Sequence, residues 1–431
     1  MKKVNLNTIH PNELISLILN KIYKYGNTTT SGGNISIRDE KGDIWVTPTG
    51  IDKGTLTSKD INCVRTNGTI EGPHKPSSEY PFHIGVFNKR EDLNAIIHAH
   101  SPALVAFSIV AKQPNTKITP WAHAICKEMG LAKYAVPGSQ NLGDVIAQEF
   151  AKGFKGVIME NHGVVIGGKD MMEAYNRFET LELLAQTLVN AAEFGTPVEL
   201  SEIQLEEYKV KSRNLLGKNK NVFYTAAEKS IRNEIVSFMD RSCIQKLMYS
   251  SVGSISVRLE GNDFITTPKD ELRWNLNPSD LIQIKNGKIE GTRNVNDYAM
   301  LDKEIFEKNA DINAIVHTAP PNLMAFSVIH KELDVRTIPE SWIFLQDVMH
   351  VKYGDQFAGE TKIADKITLE SPLALIENDS IIAVGKNLTL AFDRLEIGEF
   401  SAKSLIMGNK LGDFMPMSEK DVEDLRIAFL Q

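Results

Sequence analysis

From residue 11 the chain reads PNELISLILNKIYKYG, in which apolar residues recur at helical spacing and Gly26 supplies a C-terminal stop. The next segments, ISIR and IWVTP, are short and β-rich around the turn DEKGD, which predicts a hairpin following the helix. After Pro76 the stretch SSEYPFHIGVFNKR predicts a second helix, with Ser77 or Ser78 as its cap and Pro81 in its first turn. NAIIHAHS is short and β-branched, hence a strand. VIME and VVIG read as strands flanking the turn NHG, and Asp170 with Glu173 forms a capping-box pattern before the apolar-periodic helix MMEAYNRFETLELLAQTLVNAA. Helices alternating with hairpins predict an α/β unit with an antiparallel or mixed sheet covered by helices.

The same pattern occurs twice. At an offset of about 220 residues, SGGNISIR pairs with SVGSISVR, VTPTG with TTPKD, AIIHAHSPALVAFSI with AIVHTAPPNLMAFSV, and IMENHGVVIGG with LIENDSIIAVG, all in one order. The chain is therefore expected to be a tandem duplication: a domain over residues 1–205, a charged linker over 206–221 and a second domain over 222–431. Each copy is too long for a solenoid repeat and is a whole domain.

Within the first copy, His98 and His100 stand two residues apart on the predicted strand, so both side chains lie on one face and can converge on one ion. A third imidazole, His162, sits in the ENHGV turn, where Asn161 and Gly163 give the backbone freedom to aim it inward. Three imidazoles with an open fourth position are the donor set of a catalytic zinc or a similar divalent ion. GGN at 32–34, TPTG at 47–50 and the helix start at Ser77 and Ser78 place glycines, hydroxyls and free N–H groups where together they can cradle a phosphate. Glu79 follows directly, placed to move a proton or to fill the open coordination position. His83, one helical turn on, is placed to orient Glu79.

Composition narrows the choice of partner. The 431 residues carry 48 Lys and Arg against 55 Asp and Glu, with the basic residues scattered and forming no stripe that would track a phosphate backbone, so nucleic acid is not the expected partner. No apolar run approaches the length of a membrane span, and the opening MKKVNLNTIHPNELI reaches no apolar core of a signal peptide, so the expected location is the cytoplasm. Cys63, Cys126 and Cys243 lack any CxxC pairing and are expected to be buried structural thiols.

The ordered set GGNIS, TPTG, KPSSE, AIIHAHSPA and ENHGVVIGGKDMMEAY resembles the class II aldolase/adducin family, and within it the fuculose-phosphate aldolase branch. The match covers the first copy almost end to end. It implies an α/β/α sandwich with a central, mostly antiparallel sheet, in two tandem copies. It further implies one Zn²⁺ per chain on His98, His100 and His162, and a substrate phosphate site at Gly33, Asn34, Thr49, Gly50, Ser77 and Ser78. The implied reaction is cleavage of a ketose 1-phosphate to dihydroxyacetone phosphate and an aldehyde through a metal-stabilised enediolate, with Glu79 as general acid/base. Family aldolases of this branch bring a tyrosine from a neighbouring subunit; here KITPWAHAICK places His123 or Trp121 at that point, and Tyr208, beyond the long helix, is the alternative.

The second copy departs at each chemical position. His98 matches His317, but His100 matches Ala319, His162 matches Asp379, Glu79 matches Tyr298, His83 matches Asp302, Asn34 matches Ser254 and Gly50 matches Asp270. No catalytic zinc is expected there. Because family sites are built between neighbours in a fourfold ring, the resemblance implies a homo-oligomer in which two chains form a pseudo-tetrameric ring. A phosphoketose epimerase, a dehydratase or a decarboxylase on the same metal site, or a non-enzymatic adducin-like interaction protein, are the alternatives.

Overall fold

The structure, a computed structural model, describes residues 6, 8–211, 216–219, 225–357 and 362–430. Two compact units divide the chain: the first holds Met1–Thr116 and Ala122–Gln186, the second Lys117–Trp121 and Thr187–Gln431.

In the first unit the eight strands are β1 Asn34–Arg38, β2 Ile44–Val46, β3 Asn62–Val64, β4 Ile70–Glu71, β5 Ala95–Ala99, β6 Gly130–Ala132, β7 Gly156–Met159 and β8 Gly163–Gly168. They lie in the order β4-β3-β2-β1-β5-β8-β7-β6, and all neighbours are antiparallel except the parallel pair β6 and β7. The expected mostly antiparallel sheet with flanking helices is what forms. The opening helix spans Pro11–Lys24 and buries Leu14, Ile15, Ile18, Leu19 and Ile22, the i, i+4 stripe of its sequence. The second helix spans Tyr80–Lys89, and its cap is Glu79; neither serine takes that place. Ser77 is instead held by the preceding loop, its N–H on Thr47 O and its own carbonyl receiving the Tyr80 N–H, which turns the chain before the helix starts. Helices Tyr80–Lys89 and Gln140–Ala151 pack against one sheet face around Phe82, Val86, Phe87, Leu142, Ile146 and Phe150, all buried. Burying such side chains contributes about 1.5–3 kcal/mol each.

The second unit repeats the architecture. Its sheet runs Met349–Val351, Leu373–Ile376, Ile381–Gly385, Ala314–Thr318, Ser254–Arg258, Phe264–Thr266, Ile282–Lys285, Lys288–Glu290 and Lys218–Asn219. The register is retained as well: Asn34 opposes His98 in the first sheet, and Ser254 opposes His317 in the second. Within the segment expected to be a linker, residues 206–211 close the helix Glu202–Lys211 and Lys218–Asn219 forms the edge strand. Residues 212–215 and 220–221 of it lie outside the described residues.

Cys63, Cys126 and Cys243 are free and buried, as their spacing predicts. Among the described residues no helix is long and apolar enough to cross a membrane.

Candidate metal and acid/base site

β5 carries His98 in its fully buried row and ends at Ala99, so His100 lies one residue beyond the strand and is not on it. The two imidazoles still meet, Nε2 to Nε2 at 2.9 Å. His98 Nδ1 is 2.9 Å from Val164 O and donates to it, because a carbonyl only accepts. That bond fixes the tautomer and leaves the Nε2 lone pair facing His100. His162 comes from the β7–β8 turn, where Asn161 takes φ +54° and the His162 N–H donates to Ser108 Oγ at 2.8 Å. Gly163 lets the turn close in, since a Cβ there would stand 2.7 Å from Ala99 O.

Donor nitrogens of His98, His100 and His162 all lie within 4.8 Å of one another. Burial, reinforced by the neighbouring imidazoles, holds His98 well below the usual histidine pKa and His100 down at about 4. Three imidazoles with their donor nitrogens gathered this closely form a ligand set for a borderline divalent cation, so the residues present fit the ion that the family implies.

Glu79 stands beside this cluster. Its Oε2 is 3.3 Å from His98 Nε2, and its Oε1, which accepts no hydrogen bond, is 3.4 Å from His162 Nε2. Behind it runs a chain of hydrogen bonds. Asn34 Nδ2 donates to Glu79 Oε2 at 2.8 Å, so the other end of that amide, Oδ1, must accept from His83 Nε2 at 2.5 Å. His83 Nδ1 is then an acceptor, and Ser36 Oγ donates to it at 2.7 Å. Complete burial keeps His83 neutral, its pKa pushed down to about 3. Every donor in the chain points toward the carboxylate. His83 thus orients Glu79 as its spacing predicts, but through Asn34 and not by direct contact.

Of the six residues expected at a phosphate, Asn34 opens strand β1 and the other five lie on three loops joined to one another. Gly33 takes φ +73° with no room for a Cβ, which would come 2.7 Å from His98 O. Thr49 and Gly50 are exposed, Gly50 at φ +72°. Their loop is tied to the next by a Pro48–Pro76 bridge and by the Ser77 N–H on Thr47 O. Ser77 is buried and Ser78 exposed. Asn34 belongs to the acid/base chain through both ends of its amide.

His123 is half-buried on the helix Pro120–Cys126, 3.3 Å from Thr116 Oγ1, and is not one of the three converging imidazoles. Trp121 falls in the second unit, where its indole N–H donates to Asp379 O at 2.7 Å. Tyr208 also belongs to the second unit; burial, with Asp297, Tyr298, Asp379 and Tyr353 nearby, raises its phenol well above the usual value. Ser36 and Lys53 were not singled out from the sequence. At the 220-residue offset Ser36 recurs as Ser256 and the cation of Lys53 as Arg273, and that repetition is the signal the sequence offers.

The duplicated α/β fold carries, in its first copy, a trio of histidines that could hold a metal ion. The model of the class II aldolase and adducin N-terminal domain matches residues 13–189 and again residues 233–406, and the chain belongs to that family. An L-fuculose phosphate aldolase from Methanococcus maripaludis is 38% identical over 157 residues, 36% of this chain and 83% of that protein. A 3-oxo-tetronate 4-phosphate decarboxylase from Haemophilus influenzae is 32% identical over 178 residues, 40% of this chain and 84% of that protein. Among solved structures, an L-fuculose 1-phosphate aldolase matches with a TM-score of 0.43 at 29% identity, covering 47% of this chain and 95% of that one. The chain is an enzyme of the class II, metal-dependent aldolase type.

Proposed function

We propose that the first unit is a lyase that cleaves a ketose 1-phosphate reversibly to dihydroxyacetone phosphate and an aldehyde. The observation that carries this reading is the convergence of His98, His100 and His162 within 4.8 Å, with the Glu79 carboxylate 3.3 and 3.4 Å from two of them. His98, His100 and His162 would hold one Zn²⁺, which supplies Lewis-acid polarisation of the substrate carbonyl.

The chain's own groups do the rest. Burial holds the pKa of His98 and His100 down, so these two bind without first losing a proton, and the Val164 carbonyl fixes the direction of the His98 ring; the bond from the His162 N–H to Ser108 holds the backbone of the turn that carries the third imidazole. Glu79 moves the proton at the carbon that keeps the electron pair when the C3–C4 bond breaks, and the Ser36–His83–Asn34 chain holds its carboxylate in place. Loops at Gly33, Thr49–Gly50 and Ser77–Ser78 offer N–H and O–H groups to the phosphate. His123 and Tyr208 are proposed for the aldehyde-side proton on residue type alone, and the reading does not depend on them. The family's oligomeric habit supports a dimer of two-unit chains, which the mass in solution tests.

A screen of phosphorylated ketoses with detection of dihydroxyacetone phosphate tests the reaction. Release of that product from the unmodified protein, and not from Glu79→Gln, supports it; carbon dioxide release from a phosphorylated 3-oxo acid in its place would overturn it. The decarboxylase is the second reading because a relative at 32% identity bears that name.

A further inference from the structure

Lys53 is 3% exposed and sits at the join of the loops just described. Its backbone N–H donates to Thr30 O at 2.9 Å and its Nζ to Pro48 O at 2.9 Å, tying the loop of Gly32 and Gly33 to the loop of Thr49 and Gly50. Of the three ammonium donors, that one is engaged among the described residues. Asp52, its chain neighbour, is turned away onto Gly54 N and Thr55 Oγ1. Burial depresses the Lys53 pKa, and among the described residues no carboxylate opposes the shift. A buried cation without a counter-charge is costly, and a fold tolerates it where an anion arrives from outside.

In the second unit the matching cation, Arg273, is 2% exposed and donates to the matching carbonyl, Pro268 O, at 3.0 Å, and also to Gly253 O at 2.7 Å. Here the loops carry their own anions. Asp297, at the position of Ser78, forms an ion pair with Lys269, at the position of Thr49, at 2.5 Å. Asp270, at the position of Gly50, keeps the left-handed backbone with φ +60°. Burial lowers the Arg273 pKa to about 10, and here Asp270, Glu271 and Asp297 oppose that shift. Where the first unit has neutral Thr49, Gly50 and Ser78 around its buried cation, the second has closed the same loops on an internal carboxylate.

We infer that Lys53 is the buried counter-charge for a phosphate dianion bound on the loops 30–33, 47–50 and 76–78 of the first unit. The inference rests on the phosphate-bearing substrate proposed above. The role is electrostatic and needs no metal, so it is tested on the full chain stripped of metal, with inorganic phosphate as the probe. Titration calorimetry should show Lys53→Gln, which keeps a donor for Pro48 O but removes the charge, binding phosphate at least about tenfold more weakly than the unmodified chain. Lys53→Arg, the residue type that the second unit uses, should bind within about threefold. Equal affinity in the unmodified chain and a folded Lys53→Gln overturns the inference. A second measurement does not depend on that variant folding: with ¹³C at lysine Cε, the resonance absent from Lys53→Arg should move on phosphate addition to the unmodified chain, and a stationary resonance overturns the inference equally. No phosphate binding by the unmodified chain at all would instead sink the phosphate-substrate reading and the inference with it.

Discussion

The two units keep the same skeleton of buried polar bonds and differ where chemistry would occur. Arg38 donates to Phe87 O and Leu93 O in the first unit, and Arg258 to Phe306 O and Ile312 O in the second. Glu182 accepts the Leu104 N–H at the start of the helix after the histidine strand, and Glu399 accepts the Leu323 N–H at the matching start. Around His98 and its counterpart His317 the likeness ends. His98 turns Nε2 to its fellow imidazoles and Glu79, whereas His317 Nε2 meets Asp302 at 2.5 Å and its ring stacks on Tyr298 at 4.4 Å. The second unit has used the place of the acid for a packing ring and the place of the positioning histidine for a carboxylate that holds the remaining ligand. Bonds that satisfy buried backbone carbonyls serve folding in both copies, so selection for folding alone retains them.

Grafting the second unit's residues onto the first should have the largest effect. His100→Ala, which copies Ala319, removes one of three ligands and is expected to lower kcat/KM at least about a thousandfold, since metal polarisation is worth several kcal/mol. Metal analysis of the purified protein should show the loss in parallel. The reverse graft, Ala319→His with Asp379→His, is expected to gain no second equivalent of metal, because Asp302 still holds His317 Nε2. Metal uptake by that double variant would break the comparison. Glu79→Gln comes next: about a hundredfold to ten-thousandfold loss in kcat with metal content unchanged separates the acid/base from the ligands.

The fold was legible because periodicity and repetition report on burial, and burial is what the skeleton satisfies. The helix over Pro11–Lys24, the β1–β2 hairpin and the ENHG turn all stand where the apolar pattern puts them. The three imidazoles converge, although His100 reaches the cluster from just beyond the strand and not from its face. Less legible were contacts that depend on which end of a side chain meets which partner. Asn34 carries a residue type suited to a phosphate loop, yet register sets it opposite His98 and its amide on Glu79. Ser36 on β1 meets His83 on the second helix, and Lys53 ties the loop at Thr30 to the loop at Pro48, contacts that no helical or strand period encodes. The helix cap went to Glu79 because the Thr47 carbonyl holds Ser77 back, again a tertiary contact.

A smaller and reversible difference concerns acid stability. Asp379 stands where the first unit has the His162 imidazole, and burial raises its carboxyl pKa to about 7. A carboxyl raised above its unfolded value stabilises the fold fully below that unfolded value, near pH 4, and the contribution fades as pH rises through about 7. The span corresponds to a few kcal/mol, on the order of 1.4 per pH unit. Glu399, also raised to about 7 by burial, acts in the same direction. Urea unfolding of the second unit is therefore expected to need less denaturant at pH 8 than at pH 5, and Asp379→Asn should flatten the slope. A slope unchanged by that substitution would separate the pH effect from the lost metal ligand.

The smallest effect tests whether the same serine does different work in the two units. Ser36 donates to His83 Nδ1 at the far end of the chain that reaches Glu79, while Ser256 donates at 2.5 Å to Asp302, which reaches only His317. Removing either hydroxyl leaves a buried acceptor short of one hydrogen bond, at a cost of about 1–3 kcal/mol. Only Ser36→Ala also frees the His83 tautomer: with Nδ1 unclaimed, the proton can move there, Nε2 becomes an acceptor, and the Asn34 amide turns its oxygen toward Glu79. Ser36→Ala is thus expected to lower kcat about threefold to tenfold, on the order of 1 kcal/mol, with KM little changed. Ser36→Thr restores the hydroxyl and should restore the rate. Ser256→Ala should lower stability by a comparable amount and leave kcat alone. Nitrogen NMR of the His83 ring in metal-free protein reads the tautomer directly, so a proton already on Nδ1 in the unmodified chain would reverse the direction of the whole relay and remove Ser36 from the account of Glu79.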